Sequence, residues 1–241
     1  MSLFDKNYIA AYTDGSSIIK HDFYEASSSV VIVINGEEVC RFGCYHINGT
    51  NSLGEIYAMM LAVERVEEIK RDNPELREYM TYFISDSKYV VSSLNEWIYN
   101  WIRINKYNND IWVTGSNSPI MYQWIIKYLY FKYLKNNSWR SYNKFIHTNG
   151  HVNFNSFKDL EKYFKKFIYR NSICSNSTID EYKQIVEMNN QADILADKIR
   201  SKKLFYYEER EEDPSWEIRK KRIPTKNQKI IIKSRKNASK I

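Results

Sequence analysis

The sequence predicts an α/β domain built on a five-stranded mixed sheet flanked by helices. Three observations lead there. Short runs of β-branched and aromatic residues alternate with longer segments of helical period. Two of the short runs flank Asn35-Gly36, the strongest short hairpin signal a sequence can carry. The chain's 241 residues, 43% hydrophobic, suffice for one well-buried domain of roughly 150 to 200 residues plus an appendage, and fall short of two full domains. The domain is assigned to residues 1–205, with an insertion at about 152–186, and residues 206–241 to a charged extension.

In chain order, residues 7–13 read as a buried strand stopped by the turn signal Asp14-Gly15-Ser16, which puts Asp14 at a strand end. Residues 23–34 and 38–47 pair antiparallel about Asn35-Gly36. Thr50-Asn51-Ser52 is a cap-like entry to a helix from about Leu53 to Arg71, with Ile56, Met59, Met60 and Val63 at helical spacing and Glu55 in the first turn. Asn73-Pro74 ends that helix, and residues 79–85 form a fourth strand that delivers Asp86 at its C-terminal end. Helices are expected from Lys88 to about Asn105 and from Ile120 to Leu134, separated by the polar loop Gly115-Ser116-Asn117-Ser118-Pro119. A fifth strand over 140–146 leads to His147. Within the insertion, Phe157, Leu160, Phe164, Phe167 and Ile168 mark an amphipathic helix whose other positions carry Lys158, Lys162, Lys165 and Lys166. A last core helix, from about Ile179 or Val186 to Lys203, carries Asp193; beyond Glu208 the chain is charged and poorly periodic until Ile230-Ile231-Ile232.

Charge and cysteine content narrow the class. From Ile218 to Ile241 there are ten Lys or Arg and no acid, so removing these ten from the net +7 leaves −3 on the first 217 residues. The basicity lives in the tail, where Arg219-Lys220-Lys221-Arg222 and Lys233-Ser234-Arg235-Lys236 suit loose nucleic-acid binding or nuclear import. Cys40, Cys44 and Cys174 show neither zinc spacing nor an even disulfide framework and fit a reducing compartment. There is no apolar run of membrane-spanning length, and Met-Ser-Leu-Phe-Asp-Lys lacks the apolar region of a secretory signal. The expectation is a soluble, intracellular monomer, cytoplasmic or nuclear, with no membrane partner.

Four carboxylates stand in distinctive settings: Asp14 in Tyr-Thr-Asp-Gly-Ser, Glu55 in Gly-Glu-Ile-Tyr-Ala, Asp86 in Ile-Ser-Asp-Ser-Lys-Tyr-Val and Asp193 in Asn-Gln-Ala-Asp-Ile-Leu-Ala. If the fold gathers them, their mutual repulsion is costly without a divalent cation, so the set reads as a two-metal nuclease site. Asp197, one helical turn after Asp193 on the same face, is an alternative to it.

In the order of these acids and the residues around them, the chain resembles the type 1 ribonuclease H family over roughly residues 7–151 and again over 187–200. Thr50-Asn51-Ser52 is similar to the family's Thr-Asn-Asn segment, and Trp97-Ile98-Tyr99-Asn100-Trp101 to its helix-borne Trp-x-x-Asn-Trp segment. The resemblance implies a ribonuclease H-like fold and an endoribonuclease that hydrolyses the RNA strand of RNA–DNA hybrids, leaving 5′-phosphate and 3′-hydroxyl ends. It implies two Mg2+ ions, with Mn2+ as a substitute: Asp14 bridges both, Asp193 helps hold the nucleophile-side ion, and Glu55 with Asp86 hold the other.

His147, in Phe-Ile-His-Thr-Asn-Gly-His, resembles the family's loop histidine for proton transfer or product release, and His151 competes in the same segment. By the same resemblance, groups around Ser16, Asn51, Ser52 and Lys88 contact the RNA strand, and Thr50 with Asn100 forms a DNA-phosphate pocket. Trp97 and Trp101, with Arg103, Lys106 and Trp112, are similar to the family's protruding handle, and packing between helices is the competing reading for both indoles. The chain departs from the pattern in two places: 45 residues separate His147 from Asp193 where the family has a short flexible loop, and the Gly/Pro-rich turn after the first Asp is replaced by residues 17–22. The first strand begins near residue 7, which leaves no room ahead of it for the hybrid-binding domain many relatives carry, and the basic tail is the candidate substitute. A replication or reverse-transcription partner is expected to be a separate chain. The alternatives are a structure-selective DNA nuclease of the same superfamily and a non-catalytic nucleic-acid-binding module.

Overall fold

The computed structural model describes residue 4 and residues 7–20, 23–105, 111–152 and 156–210. Lys106 and the basic tail lie outside the described residues. One compact unit takes in Met1–Glu209.

Its sheet has six strands: β1 (Tyr8–Lys20), β2 (Phe23–Ile34), β3 (Glu37–Ile47), β4 (Met80–Ser85), β5 (Asn143–His147) and β6 (Tyr207–Arg210), in the spatial order β5-β4-β1-β2-β3-β6. β1 pairs antiparallel with β2 and parallel with β4, and β4 pairs parallel with β5. The expected hairpin is present. Asn35 (φ 50°) and Gly36 (φ 92°) both take the left-handed conformations that a tight two-residue turn requires, and the Asn35 side chain accepts from the Tyr8 N–H at 3.0 Å.

Three expectations are corrected. Among the described residues the sheet has six strands rather than five. The sixth, Tyr-Glu-Glu-Arg at the β3 edge, contains no apolar run that would announce it; Arg65 meets it through an ion pair with Glu208 at 3.4 Å. Second, Asp14-Gly15-Ser16 is not a turn. β1 runs through it because β2 continues to pair, from Ile9↔Ile34 to Lys20↔Phe23, and that long ladder overrides the local turn preference. Third, residues 140–142 are helical, since the Asn136 side chain accepts from Ser138 N at 2.9 Å and Trp139 N at 3.3 Å and so starts a short helix ahead of β5.

Helices cover both faces. On one lies α1 (Asn51–Asp72), N-capped by Thr50, whose hydroxyl accepts from Leu53 N at 3.3 Å. With it are α2 (Lys88–Ser92), a π-helical turn over Ser93–Trp97, α3 (Ile98–Ile104), α4 (Gln123–Leu129) continued by a π-helical stretch Tyr130–Leu134, and α5 (Asn137–Tyr142). Ile56, Met59, Val63, Phe83, Leu94 and Ile125 form the centre of that layer. The other face carries α6 (Phe157–Arg170) and α7 (Ile179–Ser201). α7 starts at Ile179 because Thr178 and Glu181 form a reciprocal capping box, and its core is Tyr182, Ile185, Val186 and Leu195 against Tyr12, Val31 and Ile84.

The alternation of β2 shows how the layers are tied. Ser28 donates to Gly54 O of α1 at 2.7 Å, while its neighbours Ser27 and Ser29 donate to Ala196 O and Ala192 O of α7, each at 2.6 Å. Successive side chains reach opposite helices, which fixes α1 and α7 against the middle of the sheet. Among the described residues, no helix is long and apolar enough to cross a membrane.

Candidate active site

The parallel pairing of β1 with β4 ends at Tyr12↔Ile84. Asp14 lies two residues beyond that last pair, and Asp86 directly follows β4, so both acids sit at the carboxyl end of the parallel strands although β1 itself continues. Glu55 comes from α1, in its second turn because the helix begins at Asn51. It is brought to Asp14 by a backbone-to-backbone contact: a Cβ on Gly15 would collide with Glu55 N, and would stand 2.7 Å from the Gly54 carbonyl carbon and 3.0 Å from Asn51 O. Asp193 lies on α7 next to Ala192, the residue that Ser29 grips.

The electrostatics show that the four acids share one region. Burial, then the Asp86 charge, with Asp193 and Glu55 adding, push Asp14 up to about 9, against the lowering effect of the Gly15 N–H that donates to Asp14 Oδ1 at 2.6 Å. Burial raises Asp86 as well, with Asp193 adding to it. Glu55 is raised by burial and by Asp86, while Ser87 Oγ, donating at 2.6 Å, opposes that; Asn51 Nδ2 donates to its other oxygen at 2.8 Å. Asp193 is raised by burial and by Asp197, with His151 pulling the other way. Such a set of oxygen donors, each disfavoured as an anion by burial and by its neighbours, suits a hard divalent cation. Among the described residues no three His, Cys, Asp or Glu already close around a single point, and the Glu55 carboxylate rests on Ser87 and Asn51.

Asp197 faces elsewhere. Its carboxylate accepts from Ser16 Oγ at 2.5 Å and from Arg200 Nη2 at 2.8 Å, and these two bonds hold its carboxyl below the usual range. Arg200 Nε also donates to Ser16 Oγ at 2.8 Å, so the Ser16 hydroxyl is engaged on both sides.

The two candidate histidines stand in different settings. His147 Nε2 lies 3.0 Å from the Asp86 carbonyl oxygen, its Nδ1 is 3.5 Å from Arg170 Nη1, and burial, with the charges of Arg170 and Lys88, lowers its proton affinity. It belongs to β5, whose pairing with β4 (Ser85↔His147) directs its ring at the Asp86 main chain. His151 follows in a turn at φ 52°, and its charge acts on both Asp86 and Asp193. That turn lies directly on the site, since a Cβ on Gly150 would collide with Asp86 Oδ2.

A profile of the RNase H family matches residues 6–201, nearly the whole compact unit. The chain belongs to the RNase H family. Ribonuclease H of Treponema denticola is 29% identical over 92 residues, covering 36% of this chain and 54% of that protein, so the chain spans about half the length of this curated relative. Among solved structures, the foamy viral protease-reverse transcriptase in complex with dsDNA is 17% identical, with a TM-score of 0.47, covering 73% of this chain and 98% of that one. LC11-RNase H1, isolated from compost by a metagenomic approach, is 16% identical with a TM-score of 0.41, covering 66% and 97%.

Around this candidate site the remaining sequence-derived positions divide by exposure. Asn51, Lys88, Trp97 and Asn100 are exposed, with Ser52 partly so; Asn100 Oδ1 accepts from Arg103 at 3.0 Å. The Thr50 hydroxyl is shared between its cap and Tyr122 OH at 2.5 Å. The two tryptophans differ: Trp97 is 37% exposed and Trp101 only 6%, their rings edge-on at 5.9 Å. Trp112 is also buried, under Lys127. Sequence reasoning missed Ser87, Gly150, Arg170 and Asn171. Ser87 had a legible signal, since it caps α2 with a 3.4 Å bond from Val90 N; the other three act across the fold and had none.

Proposed function

We propose that the chain is a metal-dependent endoribonuclease that hydrolyses the RNA strand of RNA–DNA hybrids by a two-metal-ion mechanism, leaving 5′-phosphate and 3′-hydroxyl ends. The observation that supports this reading is that the charges of Asp86, Asp193 and Glu55 all act on Asp14 at the carboxyl end of the parallel strands, while burial raises the proton affinity of all four acids. These four carboxylates would hold two Mg2+ ions, or Mn2+ in their place. Such cations, when bound, would supply an activated water on one side of the phosphodiester and relief of charge on the leaving oxygen on the other.

The chain's own groups do the rest. Gly15 N–H and Ser87 Oγ favour the anionic forms of Asp14 and Glu55. Arg200 and Ser16 draw Asp197 aside and leave Asp193 to the acid cluster. His151, whose charge acts on Asp86 and Asp193, is the group we assign to carry a proton during turnover, and His147 supports the Asp86 main chain. The RNA strand's 2′-hydroxyls are assigned to Asn51, Ser52 and Lys88, and a DNA phosphate to Thr50 and Asn100, with Trp97 offering an exposed ring to a sugar.

Incubation with labelled hybrid, double-stranded RNA and double-stranded DNA in magnesium, alongside Asp86→Asn, tests the proposal. Hybrid is expected to be cut by the parent and not by the variant. Preferential cleavage of DNA duplex, or unaltered hybrid cleavage by Asp86→Asn, refutes it.

A further inference from the structure

The insertion between β5 and α7 touches the site through two adjacent residues at the end of α6. Asn171, 7% exposed, caps α6 and grips β5 on both sides of one residue: His147 N donates to Asn171 Oδ1 at 3.0 Å, and Asn171 Nδ2 donates to His147 O at 2.8 Å and to Phe167 O at 2.9 Å. The side-chain amide thus stands in for a neighbouring strand at the sheet's β5 edge. Arg170 Nη1 donates to Asn149 Oδ1 at 3.0 Å, and the other end of the same amide donates to Tyr182 OH of α7 at 3.0 Å. On the far side of the strand, Thr148 N donates to Ser85 O at 3.0 Å. A three-residue turn, 149–151, is therefore held at its base by β4, by the insertion and by α7. What it carries is Gly150, in contact with Asp86, and His151, at a φ of 52° that a non-glycine residue adopts only when its surroundings enforce it.

We propose that Arg170 and Asn171 are positioning residues: the insertion is a clamp that fixes the 149–151 turn, and so holds Gly150 against Asp86 and His151 next to it. The clamp has its own covered base, with Leu160 and Phe167 of α6 buried against the α7 layer, so the corner at 170–171 is anchored to the same helix that carries Asp193. The turn that bears His151 and the helix that bears Asp193 are thereby tied together, despite the long insertion between them. The inference rests on the assignment of proton transfer to His151.

The test uses the full chain with Arg170→Ala, Asn171→Ala and His151→Ala, singly and combined, under steady-state kinetics on hybrid in magnesium. Arg170→Ala removes an exposed side chain and leaves the α6 cap intact, so it reports even if Asn171→Ala folds poorly. Each clamp variant is expected to lower kcat by about tenfold with KM unchanged, as a displaced catalytic group does. In the His151→Ala background, Arg170→Ala is expected to cost nothing further. Backbone 15N order parameters at 149–151 are expected to fall in Arg170→Ala from rigid values near 0.85 toward about 0.6. Losses that multiply with His151→Ala, a raised KM at constant kcat, or unchanged order parameters overturn the clamp alone. Undiminished kcat in His151→Ala overturns the assignment of that histidine and the clamp with it.

Discussion

Gly15→Ala places a methyl group where α1 and β1 meet backbone to backbone. In open space a Gly to Ala change in a strand stabilises by roughly 0.4–1 kcal/mol, because the unfolded chain loses freedom. Here the new carbon would meet Glu55 N, the Gly54 carbonyl carbon at 2.7 Å and Asn51 O at 3.0 Å, all main-chain atoms of α1 that cannot rotate away. Overpacking of that kind costs about 1–3 kcal/mol, and the upper half of the range applies when no side chain can yield. The net expectation is destabilisation of about 2 kcal/mol, which for a domain of this size lowers Tm by roughly 4–8 °C. If instead α1 slides to relieve the contact, Glu55 moves away from Asp14, and a displacement of about 1 Å costs on the order of 100-fold in kcat. Thermal unfolding by circular dichroism together with hybrid cleavage reads both outcomes. Gly115→Ala is the control, since among the described residues its Cβ would find only Ile104 Cδ1, at 3.9 Å, and its Tm is expected to be unchanged or slightly raised. A Gly15→Ala protein with parental Tm and full activity would refute the claim that the acids are set by this helix-to-strand contact.

Trp101→Ala is expected to cost about 3–5 kcal/mol in stability, because the ring is 6% exposed, whereas Trp97→Ala is expected to weaken hybrid affinity several-fold with little change in Tm; equal effects in both assays would contradict the division between them. Protons compete with cations for the acid cluster, so Mg2+ is expected to raise Tm more at pH 8 than at pH 5, with a shift worth about 2.7 kcal/mol at 100-fold excess over Kd, and to lose that effect in Asp86→Asn. The sign follows from the raised acids: in the metal-free protein their proton affinity exceeds that of the unfolded chain, so their contribution to stability falls as pH rises from about 4 toward Asp14's value of about 9. Glu64 behaves oppositely, held low by bonds from Lys132 at 2.8 Å, Tyr128 OH at 2.6 Å and Tyr133 OH at 2.7 Å; its contribution is present at neutral pH and lost as pH drops through its depressed value, and Glu64→Ala is expected to cost about 1.5–3 kcal/mol by chemical denaturation.

Local chemistry made part of the fold legible and misled elsewhere. Asn35-Gly36 and the Thr50 cap act within a few residues, and both stand where the sequence puts them. Asp14-Gly15-Ser16 has equally local turn chemistry, yet a partner strand 15 residues on holds it extended, with Asp14 opposite Ser29. Asn136 is the converse case, a cap signal that starts a short helix although Arg140, Ser141 and Tyr142 lead directly into the strand residues that follow. β6 was out of reach on either ground, since Tyr-Glu-Glu-Arg owes its place to the β3 edge and to Arg65 rather than to its own composition.

The candidate site follows the same division. Asp193 and Asp197 are equivalent by helical spacing, but Arg200 stands three residues after Asp197, and that i,i+3 pair was readable in the sequence as the reason Asp197 is drawn aside. The histidines offered no such mark. His147 and His151 share one segment, and what separates them is register: His147 is the last residue paired to β4, so its ring meets the Asp86 main chain, while His151 lies beyond the pairing, where its charge acts on Asp86 and Asp193. Gly150 is required only because the Asp86 carboxylate occupies the space its side chain would fill, and Asn171 grips His147 from 24 residues away. His151 can be named as a candidate from sequence, but the approach of Gly150 to Asp86 that places its turn belongs to the fold alone.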